Sequence, residues 1–365
     1  MSYSVIYSKV SRSAKIPIVW KSCLWSRNLL SSHAIQRINS NRVIPAIGSL
    51  ERRGYSASHT FQANAMQMEE GERRFPPQNQ ESQPGKEYLM NPRPLFANPH
   101  CDYKSSDKLK GKVVLVAGGD SGIGRSVCYH FAKEGATIAF TYVKGDEDID
   151  AKDTLAIISE SKMEGSGDPV AIPTDLRYDT NCKNVVDEVI AKYGGLDVLV
   201  NLPAVQYYTY TYTLEEITEE RLEKVFRTNI FSYFFLTKHA LKHMKEGSSI
   251  INTTSVLAYN PDPPSWLDYT STKGAIVSFT RGLALHLAEK KIRVNGVAPG
   301  PIWTPLQASV LNDADIARFG STVPLNRAGQ PYEVAPSYVF LASDKDSSYM
   351  TGQVLHPNGG TMVNG

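Results

Sequence analysis

Residues 113–124 read VVLVAGGDSGIG, a short apolar run followed at once by a cluster of glycines. A run of aliphatic residues without alternation is typical of a strand buried on both faces of a parallel sheet. Glycines after such a strand permit a tight turn and let a phosphate approach the backbone, and a following helix offers free N–H groups and a favourable dipole. The stretch therefore predicts a strand, a nucleotide-binding loop and a helix. A glycine turn with a purely structural role is the alternative.

Outward from this stretch, strand-like runs alternate with helical patterns to the end of the chain. The predicted strands are residues 113–117, 137–142, 169–173, 197–201, 249–254, 292–297 and 352–356. The predicted helices are residues 122–134, 149–163, 180–193, 215–244, 268–289 and 331–342. Repeated strand–helix units predict an α/β fold with a Rossmann-type, doubly wound parallel sheet of about seven strands. A single catalytic domain over residues 109–365 accommodates them all.

The N-terminal segment has a composition of its own. Residues 1–50 contain seven Lys or Arg, eleven Ser and no Asp or Glu, which is typical of an organelle transit peptide. We predict such a peptide over residues 1–55, with a disordered basic tail as the alternative. The stretch RRGYS at 52–56 resembles a mitochondrial processing site, and plastid leaders share the same composition, so both destinations stay open on these residues.

Residues 56–108 are polar and contain six prolines. This composition predicts an extended, Pro-rich arm that does not fold by itself. Three alternatives follow for its place: on the catalytic domain, on a partner subunit, or free as a linker.

Composition excludes several classes of function. Beyond residue 50 the chain has 32 basic and 37 acidic side chains, so it lacks the basic surface that nucleic-acid binding requires. No uninterrupted apolar run reaches the length of a membrane span, so we predict no membrane partner. The four cysteines lie far apart, which argues against a disulfide scaffold or a metal site; they are Cys23, Cys101, Cys128 and Cys182.

Four side chains form a candidate catalytic group. Tyr269 and Lys273 lie four residues apart in DYTSTKGA, on one face of a predicted helix, and a nearby ammonium group is expected to lower the pKa of the phenol. Ser255 follows a predicted strand and its hydroxyl can donate to an oxygen that gains charge. Asn229 lies within a predicted helix, where Asn is a poor helix former. The alternatives are an ordinary surface pair for Tyr269 and Lys273 and a solvent-facing polar residue for Asn229. The order of the four residues behind the glycine loop nevertheless forms a specific signature.

The chain from residue 109 onward resembles the short-chain dehydrogenase/reductase family. The stretches that carry the likeness are GGDSGIGR, FRTNIFSYFFLTKHALKHM, SSIINTTS, RVNGVAPGPIWTPL and TGQVLHPNGG. Together with YVKGDED and the arm segment FPPQNQESQPGKEYLMNP, they resemble a plant group described as chloroplastic NADPH-dependent aldehyde reductases or glucose and ribitol dehydrogenase homologues. The resemblance implies a homotetramer and favours the chloroplast over the mitochondrion.

The resemblance also implies residue roles. Asn229 would hold a proton-relay water, Ser255 would donate to the oxyanion, Tyr269 would act as acid and base, and Lys273 would bind the ribose and tune the tyrosine. The implied cofactor contacts are Gly118, Ser121, Gly122, Ile123, Gly124, Tyr142, Asp175, Leu176, Asn201, Tyr269, Lys273, Pro299, Gly300, Ile302 and Thr304. One departure stands out: where the family has Asn-Asn-Ala-Gly, residues 201–204 read NLPA, and Pro203 removes a backbone donor.

The end of the second predicted strand bears on the cofactor. NAD-preferring members place an acid there for the ribose 2′-hydroxyl, whereas this chain has Thr141 and Tyr142, with no acid until Asp146. Arg125 and Lys144 are candidates for a nearby positive charge, or else solvated surface residues. We predict NADP(H) over NAD(H), in an oxidoreductase that reduces small aldehydes or other carbonyl compounds. A sugar or polyol dehydrogenase, or a non-catalytic nucleotide-binding member of the fold, is the alternative.

Overall fold

The computed structural model describes residues 74–209, 213–261, 264–361 and 363. The predicted transit peptide over residues 1–55 and the first part of the arm, residues 56–73, lie outside the described residues. Within the described chain, no helix is long and apolar enough to cross a membrane.

Seven parallel strands form one sheet in the order β3-β2-β1-β4-β5-β6-β7. Their bounds are β1 Val113–Ala117, β2 Thr137–Tyr142, β3 Val170–Pro173, β4 Val198–Asn201, β5 Ser249–Thr253, β6 Arg293–Val297 and β7 Val354–Leu355. The order runs outward in both directions from the β1–β4 pair, in which Val114 lies opposite Val198. This reversal of strand order opens a crevice beyond the carboxyl ends of the strands, where ligands of such sheets bind. The predicted fold class is confirmed.

Helices cover both faces of the sheet. Their bounds are α1 Gly122–Lys133, α2 Asp148–Ser161, α3 Asp179–Tyr193, α4 Glu219–Phe226, α5 Ser232–Ala240, α6 Leu267–Leu287, α7 Pro305–Ala308, α8 Asp313–Ala317, α9 Pro331–Ala342 and α10 Asp344–Ser347. Side chains of α1, α2 and α9 pack in one apolar core, and those of α3, α5 and α6 pack in another on the opposite face. Because both strand faces are covered, the central strands are fully buried, as their apolar runs predict.

The predicted single helix over residues 215–244 is wrong in detail. The structure has a short 3-10 turn at Leu214–Glu216, then α4, then a π-helical turn at Arg227–Phe231 that leads into α5. Thr218 starts α4 afresh, because its side-chain oxygen accepts the Arg221 N–H. The π turn places an extra residue in the helix at Asn229, and such bulges occur frequently at functional sites.

Residues 74–108 lie on the domain of their own chain. Phe75 stacks on Trp303, with ring centroids 3.9 Å apart, and the Trp303 indole N–H donates to the Pro92 carbonyl at 2.9 Å. Gln80 donates its backbone N–H to the Ala308 carbonyl. The arm therefore runs along the segment that follows β6, and a short 3-10 turn at Glu87–Leu89 brings it to the glycine loop.

Candidate active site

A large cleft opens beyond the carboxyl ends of β1, β4, β5 and β6. Its volume is about 2150 Å³, well above the range of roughly 300–1,000 Å³ that a drug-sized ligand occupies. The loops after all four strands contribute to its wall: Gly118 after β1, Leu202 after β4, Ser255 after β5 and Pro299 after β6. The cleft has room for a dinucleotide and a substrate together.

The glycine loop is shaped by close backbone approaches. Gly118 has a φ of +74°, and its N–H donates to the Thr141 hydroxyl at 3.0 Å. A Cβ on Gly124 would lie 1.9 Å from the Gly118 carbonyl oxygen, so no other residue fits there. The loop thus leaves the start of α1 open toward the cleft, where backbone N–H groups can hold an anion.

Three of the four candidate catalytic side chains meet in the wall of the cleft. Ser255 follows β5, while Tyr269 and Lys273 project from the first turns of α6. Tyr269 is 7% exposed and Lys273 is 1% exposed. The Lys273 ammonium group donates to the Thr253 carbonyl at 3.0 Å and lies 5.3 Å from the centre of the Tyr269 ring.

Burial dominates the electrostatics of this group. It raises the pKa of Tyr269 to about 12, although the hydrogen bond with Ser255 lowers it. Burial also lowers the pKa of Lys273 to about 7. The expectation that Lys273 lowers the tyrosine pKa is therefore wrong for the protein alone, because a lysine that burial drives toward its neutral form exerts little pull on the phenol. The phenol holds its proton at neutral pH, as a proton donor must.

Asn229 lies outside the wall of the cleft, with its side chain fully engaged. Its Oδ1 accepts the Val205 N–H at 2.8 Å, and its Nδ2 donates to the Val205 carbonyl at 2.9 Å and to the Thr272 hydroxyl at 3.1 Å. These bonds fasten the loop after β4 to α6. The side chain thus positions the loop that borders the cleft, and it does not itself face the cleft.

The unusual loop at residues 201–204 keeps its backbone pairing. Leu202 donates its N–H to the Ala117 carbonyl at 3.2 Å, and Leu202, Pro203 and Ala204 line the cleft. Asn201 lies behind the wall, fully buried, and donates to the Asn252 side chain at 2.9 Å. The departure from the family pattern therefore costs no hydrogen bond of Leu202, and Asn201 joins two neighbouring strands.

All the other predicted cofactor contacts lie in the wall of the cleft. They are Gly118, Ser121, Gly122, Ile123, Gly124, Tyr142, Asp175, Leu176, Tyr269, Lys273, Pro299, Gly300, Ile302 and Thr304. They run from the end of β2 past the glycine loop to the loop after β6. An elongated ligand bound along this line would place its far end beside Tyr269 and Ser255.

The end of the cleft near β2 carries buried acids. Asp120 and Glu147 line it, 2% and 7% exposed, and their carboxyl groups lie against each other. Burial first, and then the neighbouring acids, raise the pKa of Asp120 and, by more, that of Glu147. Burial therefore favours a pair that holds one proton and carries one negative charge at neutral pH.

The two predicted sources of positive charge do not line this end. Arg125 is 2% exposed and turned inward, where it pairs with Glu87 and Asp150. Lys144 is exposed and is not in the wall. The Arg125 guanidinium group is held by the protein's own carboxylates, so it cannot contact a ligand in the cleft.

Several residues of the cleft escaped the sequence analysis. Gln83, Pro84 and Gly85 of the arm line it. A Cβ on Gly85 would lie 2.2 Å from the Pro305 carbonyl oxygen, which shows how closely the arm packs there. The sequence did contain one indication that the arm belongs with the site: the family resemblance begins at Phe75, in the arm and ahead of the glycine loop.

The donors present fit a nicotinamide dinucleotide. The tight glycine cradle, where a Cβ on Gly124 would meet the Gly118 carbonyl oxygen, suits a pyrophosphate. Among the described residues, no cluster of His, Cys, Asp and Glu has the arrangement of a metal site.

A doubly wound sheet with a glycine cradle and a Ser–Tyr–Lys group at its crevice defines a class of dinucleotide-dependent oxidoreductases. A family model described as enoyl-(acyl carrier protein) reductase matches residues 117–362. The chain belongs to the short-chain dehydrogenase/reductase family and is an oxidoreductase of that type. The resemblance seen in the sequence is confirmed.

Plant relatives and solved structures agree with this placement. The chain is 66% identical over 287 residues to the Arabidopsis thaliana protein named NADPH-dependent aldehyde reductase 1, chloroplastic, covering 79% of this chain and 98% of the relative. It is 64% identical over 291 residues to the glucose and ribitol dehydrogenase of Daucus carota, covering 80% and 98%. A Burkholderia cenocepacia short chain dehydrogenase solved in complex with NADP has a TM-score of 0.63 at 29% identity, covering 69% of this chain and 98% of that one.

Proposed function

We propose that this chain is an NADP(H)-dependent reductase of small aldehydes and related carbonyl compounds. The observation that carries the proposal is the meeting of Ser255, Tyr269 and Lys273 at one end of a cleft that runs past the glycine loop to the end of β2. The name of the Arabidopsis thaliana relative supports the aldehyde and the cofactor. NAD(H) is the alternative cofactor.

The residues divide the chemistry among them. Ser255 donates a hydrogen bond to the carbonyl oxygen as it gains charge, and Tyr269 delivers the proton to that oxygen. Lys273 holds a ribose hydroxyl, and the loop fastened by Asn229 borders the substrate and a relay water. The nicotinamide supplies the hydride when it is bound. The residues proposed to hold the nicotinamide dinucleotide are the predicted contacts in the wall of the cleft. They extend from Tyr142 at the end of β2, past the glycine loop, to Thr304, and Asn201 lies behind them.

A second candidate function is oxidation of a sugar or polyol. The Daucus carota relative named glucose and ribitol dehydrogenase favours it, and the same Ser–Tyr–Lys group serves both directions of hydride transfer. The wall near α8 carries Asn312, Asp315 and Arg318, polar side chains suited to a hydroxylated substrate. A non-catalytic role rests on the residue 201–204 departure alone, and the retained Leu202 hydrogen bond weakens it.

The rest of the chain is proposed to direct and assemble the enzyme. Residues 1–55 serve as a transit peptide, with the chloroplast as the destination that the Arabidopsis thaliana relative's name supports. Residues 56–108 are the arm and residues 109–365 the catalytic domain. The active form is a homotetramer.

Absorbance at 340 nm tests the activity. The full chain is mixed with NADPH or NADH and a panel of aldehydes, then with NADP or NAD and sugars or polyols. We expect aldehyde-dependent oxidation of NADPH; sugar-dependent reduction of NADP without it would establish the second candidate function. Turnover by Tyr269→Phe should be about a thousandfold lower than that of the wild type, while the variant should still bind NADPH.

The matched control is Tyr349→Phe, the same change at a fully exposed tyrosine, which should leave turnover unchanged. Turnover retained in Tyr269→Phe would remove this residue from the proposed acid–base role. Cofactor binding without turnover on either panel would favour the non-catalytic alternative.

A further inference from the structure

The arm docks beside the glycine loop through one buried carboxylate. Asp150 of α2 is 0% exposed and accepts two backbone N–H groups of the arm, from Glu87 at 2.7 Å and from Tyr88 at 3.0 Å. These donors begin the 3-10 turn Glu87–Leu89, where backbone N–H groups lack partners within the turn. Asp150 therefore fixes where the arm lies against the start of α1.

From this turn the Glu87 side chain points into the protein. It is buried, and its Oε2 accepts the Gly122 N–H at 2.6 Å while its Oε1 pairs with Arg125 Nη1 at 2.5 Å. Charge-assisted bonds between buried groups are among the stronger ones, and breaking such a pair is costly. Burial nevertheless raises the pKa of Glu87 to about 7, against the opposing effects of Arg125 and Gly122.

Arg125 connects this contact to the rest of the loop. Its Nε donates to the Asp120 carbonyl at 3.0 Å and to the Thr154 hydroxyl at 2.9 Å, and its Nη2 pairs with Asp150. One guanidinium group thus holds the arm, the glycine loop and α2 together. Its charge also offsets that of Glu87, which would otherwise repel an anion at the start of α1.

Gly122 is the point at which this network acts on the ligand site. It begins α1, has a φ of +50°, and a Cβ there would lie 3.1 Å from a Thr304 methyl group. Its N–H is one of those at the N-terminus of α1 that have no acceptor within the helix. The Gly122 N–H donates to Glu87. The arm therefore sets the direction in which the neighbouring N–H groups point toward the cleft.

We propose that Glu87 is a positioning residue for the dinucleotide: it holds the glycine loop, through the Gly122 N–H and Arg125, in the conformation that binds a pyrophosphate. The inference rests on the proposed function and deepens it. The arm is then part of the cofactor site, and its Gln83 and Gly85 line the same cleft.

The test compares Glu87→Ala and Glu87→Gln with Glu81→Ala, a change at an exposed acid of the same arm. NADPH affinity of each full-length variant is measured by quenching of protein fluorescence. We expect Glu87→Ala to weaken NADPH binding about tenfold or more, since a buried N–H loses its acceptor. Glu87→Gln should weaken it less, because its amide oxygen still accepts from Gly122, and Glu81→Ala should match the wild type.

Hydrogen exchange without cofactor gives a second readout. Amides of residues 118–125 should exchange faster in Glu87→Ala than in the wild type, while kcat at saturating NADPH should change less than about threefold. Should Glu87→Ala fail to fold, Glu87→Gln decides, with NADPH binding about two- to fivefold weaker and faster loop exchange expected.

Two results would overturn the proposal. One is wild-type NADPH affinity in the folded Glu87 variants with only a lower melting temperature, which would mean that Glu87 merely docks the arm. The other is a fall in kcat at unchanged affinity. A wild-type chain that binds neither NADPH nor NADH overturns this proposal and the proposed function together. If Glu87→Ala binds NADPH more weakly and the wild type turns over no substrate, the positioning role of Glu87 is supported and only the proposed reductase activity is contradicted.

Discussion

At the scale of single residues, Lys273 shows how burial sets the properties of the site. Its pKa falls from 10.5 to about 7 because the ammonium group is removed from water. The unfolded chain keeps this proton up to about pH 10.5, whereas the folded chain releases it above about pH 7. Between these values the unfolded state binds more protons, so this group makes the free energy of unfolding rise with pH.

We therefore predict a pH-dependent difference between the wild type and Lys273→Met. The free energy of unfolding of the wild type, relative to the variant, should rise between pH 7 and pH 10 by up to about 1.4 kcal/mol per pH unit. Urea unfolding of the cofactor-free proteins at pH 7, 8.5 and 10 measures it. Parallel pH profiles of the two proteins would show that Lys273 keeps its ordinary pKa when buried.

We predict that the buried pair of Asp120 and Glu147 affects the choice between the two cofactors. Since the pair carries a negative charge beside the end of β2, it disfavours a 2′-phosphate there. Asp120→Asn should raise the ratio of kcat/KM for NADPH to that for NADH by about tenfold, because one unit charge at close range is worth a few kcal/mol. Glu147→Gln is the matched change and should do less, because burial already favours its protonated form. A ratio unchanged in both variants would remove the pair from cofactor selection.

Sequence reasoning reached part of this site and missed part for a physical reason. Ser255, Tyr269 and Lys273 lie close to one another in the chain, so local spacing and strand order place them. Asp120 and Glu147 belong to separate loops, and only the folded sheet brings them together. The direction of the Tyr269 pKa shift depends on burial, which spacing does not reveal.

At the scale of elements, the π turn Arg227–Phe231 serves to place Asn229. Replacing Asn229 by Ala removes three hydrogen bonds and leaves the Val205 N–H and carbonyl groups without their partners. We predict a loss of stability of about 2–4 kcal/mol, since each unsatisfied buried group costs about 1–3 kcal/mol. Thermal unfolding of Asn229→Ala measures the loss.

Asn229→Asp provides the comparison, because it keeps the acceptor for the Val205 N–H and loses the two donors. Its stability should be no higher than that of Asn229→Ala, because the buried carboxylate has no charged partner among the described residues and one of its oxygens faces the Val205 carbonyl. Equal melting temperatures for all three proteins would contradict the role of this side chain as the fastening of the loop.

Element bounds show where sequence patterns succeed and where they stop. Apolar runs located the strands because strands buried on both faces admit little else. The break between residues 215 and 244 was missed because apolar periodicity continues across α4, the π turn and α5. The arm was left with three alternatives because its contacts, such as Phe75 on Trp303, join residues that are far apart in the chain.

At the scale of the whole molecule, aromatic side chains form an exposed patch around α5. Phe231, at the end of the π turn, and Phe234 of α5 are 40% and 50% exposed, and Phe234 packs on Phe279 of α6 with ring centroids 4.1 Å apart. Exposed aromatic side chains that pack beside a half-buried one on the neighbouring helix are typical of an interface between subunits. This surface is a candidate for one interface of the proposed homotetramer, since a self-complementary patch pairs two copies about a twofold axis.

We predict that Phe234→Asp shifts the assembly to a smaller species, because a charge buried in a subunit interface has no partner to offset its loss of hydration. Light scattering coupled to gel filtration should give four times the chain mass for the wild type and at most half of that for the variant. Phe234→Leu keeps an apolar side chain and should remain a tetramer. The circular dichroism spectrum of Phe234→Asp should match that of the wild type, since the side chain lies outside the two apolar cores of the domain. A wild-type monomer, or an Asp variant of unchanged mass, would show that this surface is not where the copies meet.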